Sequence, residues 1–209
     1  MLETIYESIV KGDASRTAEG VRQGLDAGYV AEQLLNEAMI AAMSEVGRRY
    51  EVGEIFVPEM LIAANAMKQG LAVLKPYLQE AEVEPAGKVI LGTVKGDLHD
   101  IGKNLVGMML EGNGFEVIDL GRDVSPDAFV EALKEHQPQF MGLSALLTTT
   151  MPQMRSTIEA LTEAGLRDQV MVMVGGAPVT QSYAEEIGAD LYAPLASSAV
   201  EKAKAMIQK

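Results

Sequence analysis

The chain has 209 residues, of which 48% are apolar and 22% charged, as in a globular protein of one large domain or two small ones. It has no cysteine and two histidines, which excludes disulfides, zinc–thiolate sites, iron–sulfur clusters, thiol nucleophiles and three-histidine metal sites. Its 17 basic and 30 acidic side chains give a net charge of −13, which disfavours binding to nucleic acid.

Residues 1–7 lack the basic and apolar regions of a signal peptide, and no apolar run is long enough to span a bilayer. We therefore expect a cytoplasmic protein without a membrane partner.

The first half of the chain has the periodicity of amphipathic helices. Apolar residues spaced three and four apart predict four of them, the third over 34–50 and the fourth from Pro58 to Leu78. Asp13 is suited to cap the second helix and Gly53 to end the third. The fourth helix carries a stripe of methionine and leucine that includes Met60, for which core packing is the default interpretation. Short connections between these helices predict a four-helix bundle.

An acidic segment with little to bury follows the fourth helix. It runs from Gln79 to Gly87 and contains Pro85, which is typical of an interdomain linker. We therefore predict a helical cap domain over residues 1–84 and a second domain over residues 85–209.

After the linker, short apolar runs alternate with helical patterns. Strands are predicted at Lys88–Thr93, Phe115–Leu120, Phe140–Ser144, Val170–Val174 and Leu191–Ala193. The helices between and after them are predicted at Ile101–Glu111, from Ser125 to His136, at Pro152–Ala164, up to Ile187 and up to Gln208. This alternation predicts an α/β flavodoxin-like (Rossmann-like) domain with a five-stranded parallel sheet.

Ligands of such sheets lie beyond the carboxyl ends of the strands, where the strand order reverses, which for a flavodoxin-like order falls between strands 1 and 3. Three loops there have unusual compositions. They are Gly96-Asp97-Leu98-His99-Asp100-Ile101-Gly102 after strand 1, Ser144-Ala145-Leu146-Leu147-Thr148-Thr149-Thr150 after strand 3, and Gly175-Gly176-Ala177-Pro178 after strand 4.

His99 is the candidate metal ligand among these residues. Asp97 can orient it through one ring nitrogen and leave the other free to bind a metal. One imidazole does not hold a metal ion alone, so the metal must arrive in a cofactor that brings its remaining ligands. The alternative is a surface histidine, with Asp97 or Asp100 capping the next helix.

The other three signals are individually ambiguous. Gly102 either leaves room for a ligand beside the backbone or serves helix–sheet packing. Ser144 either bonds a heteroatom of a ligand or caps a helix. Gly175 and Gly176 either line a flat pocket or form a turn. Their position at the ends of three strands indicates one shared site.

Together the motifs resemble the cobalamin-binding signature Asp-x-His-x-x-Gly, Ser-x-Leu and Gly-Gly. Here 41 residues separate Gly102 from Ser144, and 28 separate Leu146 from Gly175. The helical half resembles the cap domain of methionine synthase modules. It is more similar to that of stand-alone corrinoid proteins of anaerobic methyltransferase systems, notably over residues 53–61 and 96–104. The match departs from the family near residues 191 and 195, where we expect a glycine and an acidic residue.

The resemblance implies that His99 is the lower axial ligand of cobalt and displaces the benzimidazole tail of the cofactor. It implies that Asp97 bonds His99 and that the Thr150 hydroxyl completes the relay. The slot for the displaced tail is implied to be lined by Gly102, Ser144, Gly175 and Gly176. The wider set of implied cofactor contacts adds Gly96, Asp100, Ile101, Leu146, Thr148 and, on the helical domain that covers the methyl-bearing face, Met60.

In function, the resemblance implies a methyl carrier with cobalamin or a related corrinoid, present as methylcobalamin when loaded. The implied partners are a substrate-specific methyltransferase, a second methyltransferase that uses tetrahydrofolate or a thiol, and a corrinoid reductive activase. Because cobalt(I) prefers to lose the sixth ligand that methyl–cobalt(III) accepts, we expect methyl transfer to release His99 for protonation, with Asp97 stabilising the charged ring. The methyl donor stays open among methanol, a methylamine, a betaine and an aryl ether.

Three other functions compete with this interpretation. The first is a cobalamin-dependent sensor or regulator. Photoreceptors of that class carry a tryptophan in the helical domain and an attached DNA-binding domain, and this chain has no tryptophan. An adenosylcobalamin isomerase subunit requires a catalytic barrel. The third is a different flavodoxin-like module. A phosphoreceiver would need an acidic residue at position 144, where this chain has Ser144. A flavodoxin would need a phosphate-binding loop of serine and threonine over residues 96–104.

Overall fold

The computed structural model describes residues 1–81 and 83–207, and the chain divides into two compact units. The first unit consists of Met1–Pro85 with the short segment Glu111–Gly114, and the second of Ala86–Leu110 with the chain from Phe115 onward. The main division therefore falls after residue 85, where the sequence prediction had 84. The assignment of Glu111–Gly114 to the first unit has no counterpart in the prediction.

Within the described residues, the first unit contains four helical runs, as predicted. They are α1 (Leu2–Val10), α2 (Ala14–Asp26), the continuous run of α3 (Ala31–Gln33), a π-helical segment (Leu34–Ile40) and α4 (Ala41–Glu51), and α5 (Val57–Glu80). The π-helical segment was not predicted, because its four buried apolar residues are spaced as they would be on an α-helix. Among the described residues, no helix combines the length and the apolar character needed to cross a bilayer.

Local capping explains where these helices begin. The Asp13 carboxylate accepts a hydrogen bond from the backbone N–H of Arg16 at 3.0 Å, as the predicted N-cap requires. Pro58 lies in the first turn of α5, also as predicted. Met60 is fully buried, which agrees with core packing, and its contact with a cofactor stays a prediction.

The predicted linker begins too early. Gln79 and Glu80 belong to α5, because both are good helix formers and the helix continues until the Ala81 N–H bonds the carbonyl of Tyr77. Glu82, also placed in the linker, lies outside the described residues.

The second unit is an α/β domain of the predicted class. Its strands are β1 (Lys88–Thr93), β2 (Glu116–Asp119), β3 (Phe140–Ser144), β4 (Met171–Gly175) and β5 (Leu191–Tyr192). Its helices are α6 (Ile101–Glu111), α7 (Pro126–His136), α8 (Pro152–Glu163), α9 (Gln181–Glu186) and α10 (Ala196–Ile207). In the described part of the chain, all strand pairs are parallel and the order is β2-β1-β3-β4-β5, which is the flavodoxin-like order.

Element ends differ from the predictions by one residue or two. Phe115 is not part of β2, because its N–H bonds the carbonyl of Leu110 at the end of α6. The strand predicted to end at Val174 extends to Gly175. Gln208, the predicted end of the last helix, lies outside the described residues.

The register of the sheet brings the three predicted site loops together. Thr93 on β1 pairs with Ser144 on β3, and Ser144 pairs with Gly175 on β4. The three strands therefore end side by side. The apolar side chains behind them, including Ile90, Met141 and Val172, are fully buried and form the core that supports this edge.

Candidate functional site

A single buried carboxylate organises the site. Asp97 is fully buried, and its Oδ1 accepts hydrogen bonds from the backbone N–H of His99 at 3.0 Å and from the Nδ1 of the same residue at 2.7 Å. Its Oδ2 accepts from the N–H of Leu146 at 2.8 Å, from the N–H of Leu147 at 3.3 Å and from the Thr150 hydroxyl at 2.6 Å. Asp97 thus joins the loop after β1 to the loop after β3.

These donors keep the carboxylate ionised. Burial raises the pKa of Asp97, but the hydrogen bonds from the Thr150 hydroxyl, from the backbone N–H groups of His99 and Leu146, and from the His99 ring lower it by more. The pKa of Asp97 therefore lies well below its usual range. Because an ionised carboxylate only accepts, Nδ1 of His99 must carry the proton in this contact.

The other ring nitrogen of His99 is available. The side chain is 50% exposed, and Nε2 has no hydrogen-bond partner in the described part of the chain. The backbone of His99 is fixed on both sides, because its N–H bonds Asp97 and its carbonyl accepts from the buried Thr93 hydroxyl at 3.1 Å. An imidazole held in this way leaves Nε2 free to contact a ligand.

The capping alternatives do not hold for Asp97 or for Ser144, whereas Asp100 directly precedes α6 and its carbonyl accepts the Asn104 N–H at 2.8 Å. None of the partners of Asp97 lies in α6, so this carboxylate does not cap the helix. Ser144 ends β3, eight residues before α8 begins at Pro152, and is not its cap. The Ser144 hydroxyl has no hydrogen-bond partner among the described residues, and its carbonyl accepts the N–H of Val94 at 3.0 Å.

The glycines of the motifs differ in whether the surrounding packing leaves room for a Cβ. A Cβ on Gly102 would have no neighbour within 4 Å, so helix–sheet packing does not require this glycine. A Cβ on Gly176, whose φ is +127°, would lie 2.0 Å from the Ala145 carbonyl oxygen, and one on Gly175 would lie 2.9 Å from that of Ala193. The packing of the protein itself therefore explains Gly175 and Gly176, whereas Gly102 leaves open space beside the backbone.

Exposed apolar side chains lie on the loop of His99, at the start of α6 and on the loop after β3. They are Leu98, Ile101, Leu146 and Leu147, and Ile101 is 77% exposed. The polar residues Asp100, which is half-buried at the start of α6, and Thr148, which is exposed, lie among them. Such a surface suits a large and largely apolar ligand.

The donor set decides what kind of metal group fits. Among the described residues, no group of three or more histidine, aspartate or glutamate side chains is placed to hold a metal ion. One imidazole nitrogen beside an apolar surface therefore fits a metal that is already held by its own macrocycle.

Sequence reasoning missed two residues that hold the His99 loop. Thr93 was predicted only as the end of a strand. Asp123, in the loop between β2 and α7, accepts the Gly96 N–H at 2.7 Å, and its own N–H donates to the Asp97 carbonyl at 3.1 Å. Neither position belongs to a motif, so no sequence pattern pointed to either residue.

Two family models, both described as a B12 binding domain, match residues 87–202 and 1–75. The chain belongs to this B12-binding family. A trimethylamine corrinoid protein of Methanosarcina acetivorans is 45% identical over 203 residues, which cover 96% of this chain and 94% of the relative. A dimethylamine corrinoid protein of Methanosarcina barkeri is 49% identical over 176 residues, which cover 84% of this chain and 83% of the relative.

Solved structures of B12-binding proteins agree with this assignment. A chain of the methanol:cobalamin methyltransferase complex of Methanosarcina barkeri matches with a TM-score of 0.88 and 31% identity, over 99% of this chain and 79% of that chain. A cobalamin-binding protein of Desulfitobacterium hafniense matches with a TM-score of 0.82 and 33% identity, over 98% of both chains. The predicted family, fold class and cofactor, cobalamin or a related corrinoid, are confirmed.

Proposed function

We propose that the protein carries a methyl group between two methyltransferases on a corrinoid that it binds through His99. In this proposal, Nε2 of His99 is the lower axial ligand, and the nucleotide tail of the corrinoid is displaced from the metal. One observation supports it above all: the buried Asp97 carboxylate takes Nδ1 and leaves Nε2 free on a half-exposed ring. The corrinoid supplies a cobalt that accepts and gives up a methyl group.

The residues around His99 would control the ligand and its proton. Asp97 fixes the ring orientation, keeps the proton on Nδ1 and makes Nε2 a stronger donor. Whenever Nε2 is not bound, it can take up a proton, and the ionised Asp97 stabilises the imidazolium that results. Thr150 keeps Asp97 ionised by donating to Oδ2. Binding at Nε2 and protonation at Nε2 therefore exclude each other.

We further propose that the displaced tail lies at the carboxyl ends of β1, β3 and β4. The open space beside Gly102 and the unpartnered Ser144 hydroxyl support this placement. Gly175 and Gly176 would shape the slot through the close backbone packing that they permit. Gly96, Asp100, Ile101, Leu146 and Thr148 would contact the cofactor from the surrounding loops.

For the methyl donor, we propose a methylamine. The chain is 45% and 49% identical to methylamine corrinoid proteins, but 31% identical to the matching chain of the methanol:cobalamin methyltransferase complex. The partners would then be a methylamine:corrinoid methyltransferase, an acceptor methyltransferase that uses tetrahydrofolate or a thiol, and a reductive activase that restores oxidised cobalt.

Reconstitution tests the binding mode. The protein is mixed with hydroxocobalamin and desalted, and its visible spectrum is recorded for the wild type, His99→Ala and His136→Ala. The wild type and His136→Ala should retain the corrinoid with one shared spectrum, whereas His99→Ala should shift it. A wild type that retains no corrinoid would refute the function, and an unchanged spectrum in His99→Ala would remove this residue from the axial position.

A second experiment tests the donor. The reduced, corrinoid-loaded protein is incubated with purified methanol, trimethylamine and dimethylamine methyltransferases and their substrates, and methylation of cobalt is followed spectrally. We expect methylation with an amine enzyme. Methylation by the methanol enzyme alone would overturn the donor assignment while leaving the carrier role intact.

A further inference from the structure

The loop that carries His99 has no regular structure between Val94 and Asp100, so neighbouring residues must set its shape. Asp97 holds it on one side through the loop after β3. On the other side, Asp123 in the loop between β2 and α7 forms two hydrogen bonds with it.

Asp123 forms hydrogen bonds with two consecutive residues of the His99 loop, accepting from one and donating to the other. Its Oδ1 accepts from the Gly96 N–H at 2.7 Å, which is a short, charge-assisted hydrogen bond. Its backbone N–H donates to the carbonyl of Asp97 at 3.1 Å. The two bonds hold the two peptide units that flank the Gly96–Asp97 pair, one through the Gly96 N–H and the other through the Asp97 carbonyl. They therefore restrain the backbone from which the Asp97 side chain starts, and with it the place where the His99 ring is held.

The segment that carries Asp123 is itself anchored. Gly121 accepts the N–H of Thr93 at 2.9 Å, and Val124 donates to the Thr93 carbonyl at 2.9 Å. Asp119, the last residue of β2, accepts from the Gly121 N–H at 2.8 Å. It also pairs at 2.6 Å with Lys103 on α6, which is only 3% exposed. Asp123 is thus attached to the end of β1 and to α6, and it can hold the His99 loop in a fixed place.

The backbone of Asp123 has a conformation that is uncommon for a residue other than glycine. Its φ is +56°, in the left-handed region, which glycine adopts at no steric cost and other residues adopt less easily. In the described part of the chain, the only other non-glycine residue with positive φ is Gln137, where a left-handed residue ends α7. A glycine at position 123 would relieve the strain but would lose the acceptor for Gly96.

We propose that Asp123 is a positioning residue for the axial ligand: through Gly96 and Asp97 it places His99 Nε2 at the metal. This rests on the proposed role of His99. Outer partners of a metal ligand typically change affinity 10–100-fold when they are removed, and we expect the lower end, about 10-fold, because Asp123 acts through the backbone.

Three variants separate the acceptor from the backbone strain. Asp123→Gly removes the acceptor and relieves the left-handed conformation. Asp123→Asn keeps an acceptor oxygen and tolerates positive φ. Gln137→Gly is the matched control, because it relieves the same strain away from the His99 loop. Urea unfolding of each full-length protein establishes that it is folded.

The first readout uses the protein without corrinoid. Hydrogen exchange of the Gly96 amide should be slow in the wild type, in Asp123→Asn and in Gln137→Gly, and at least 10-fold faster in Asp123→Gly, since a lost hydrogen bond of this kind opens the amide. A fast Gly96 amide in the wild type would overturn the proposal without reference to the cofactor.

The second readout uses cobalamin bound and reduced to cobalt(II), with the protein labelled with ¹⁵N-histidine. Electron paramagnetic resonance then reports a histidine nitrogen on cobalt, because the splitting changes from a triplet to a doublet on labelling. We expect this signature in the wild type, Asp123→Asn and Gln137→Gly, and a reduced fraction with about 10-fold weaker cobalamin binding in Asp123→Gly.

The outcomes distinguish the two proposals. A wild type without a histidine signature refutes the role of His99, and the positioning role falls with it. A wild type with the signature and an Asp123→Gly variant that equals it in signature and affinity overturns the positioning role alone. Equal losses in Asp123→Gly and Gln137→Gly overturn it as well, because they would trace the effect to the backbone.

Discussion

Asp97 and Glu45, carboxylates of different units, have pKa values that are lowered by different kinds of donor. Asp97 is fully buried in the α/β unit and is held by backbone N–H groups, a hydroxyl and one imidazole. Glu45, on α4 of the helical unit, is 22% exposed and accepts from Arg48 and Arg49 at 2.7–2.9 Å. The guanidinium hydrogen bonds lower the pKa of Glu45 to about 2.

The comparison shows which kind of carboxylate can set the geometry of a ligand. The donors to Asp97 are held by the fold around a fully buried carboxylate, so each one has a defined direction. The arginine partners of Glu45 are half-exposed, so water and salt compete for the same charges. A low pKa alone therefore does not distinguish a carboxylate with fixed, directed donors from one whose partners solvent screens.

The largest expected effect is that of Asp97→Asn. The amide NH₂ group of asparagine would replace one carboxylate oxygen of Asp97, either Oδ1, which accepts from His99, or Oδ2, which accepts from Thr150. The donors that face the replaced oxygen would then lose their acceptor. We expect the free energy of unfolding to fall by about 3 kcal/mol, measured by urea denaturation. Asp127→Asn, at an exposed residue on α7, is the matched control, with an expected change within about 0.5 kcal/mol. Equal losses in both variants would contradict the central role of Asp97.

A smaller effect is expected from Thr150→Val, which keeps the shape of the side chain and removes one donor to Asp97. We expect the protein to lose about 1.5 kcal/mol of stability and the pKa of Asp97 to rise. Thr150→Ser keeps the hydroxyl and should lose less than half as much. Urea unfolding of the pair provides the test, and a loss in Thr150→Val no larger than that in Thr150→Ser would contradict the role of the hydroxyl.

The pH dependence of stability gives a third test. Because the native pKa of Asp97 is depressed, its contribution is complete above the unfolded pKa, about 4, and is lost as the pH falls toward the native value. Between pH 5 and pH 3, we expect the wild type to lose about 1 kcal/mol more than Asp97→Asn. Parallel losses in urea unfolding at the two pH values would show that Asp97 is not held in its ionised form.

Much of the fold was predictable because it depends on local patterns. Strands β1 and β3 and helix α6 match their predicted ends, since apolar alternation, glycine and capping residues mark them in the sequence. The parallel arrangement of the strands followed from their alternation with helices. The π-helical segment did not, because seven residues are too few for its period to differ visibly from that of an α-helix.

The hydrogen bonds of the candidate site were predictable only in part, through the resemblance to a family motif. Asp97, His99 and Thr150 lie in recognisable motifs, and the structure brings them together as predicted. Thr93 and Asp123 do not, because a threonine at a strand end and a left-handed aspartate in a loop act through backbone groups of another loop. Such contacts depend on tertiary geometry, which no spacing in one chain encodes.

The smallest expected effect is that of Glu45→Gln. The variant removes a charge that two arginines share, but solvent screens all three groups, so we expect a loss of about 0.5 kcal/mol. This loss should shrink further in 1 M salt, whereas the effect of Asp97→Asn should not change, because salt does not reach a buried carboxylate. Urea unfolding of both variants at low and high salt gives the measurement. A salt-dependent Asp97→Asn effect would place its carboxylate in the same class as Glu45, and the distinction between screened and directed partners would then be wrong.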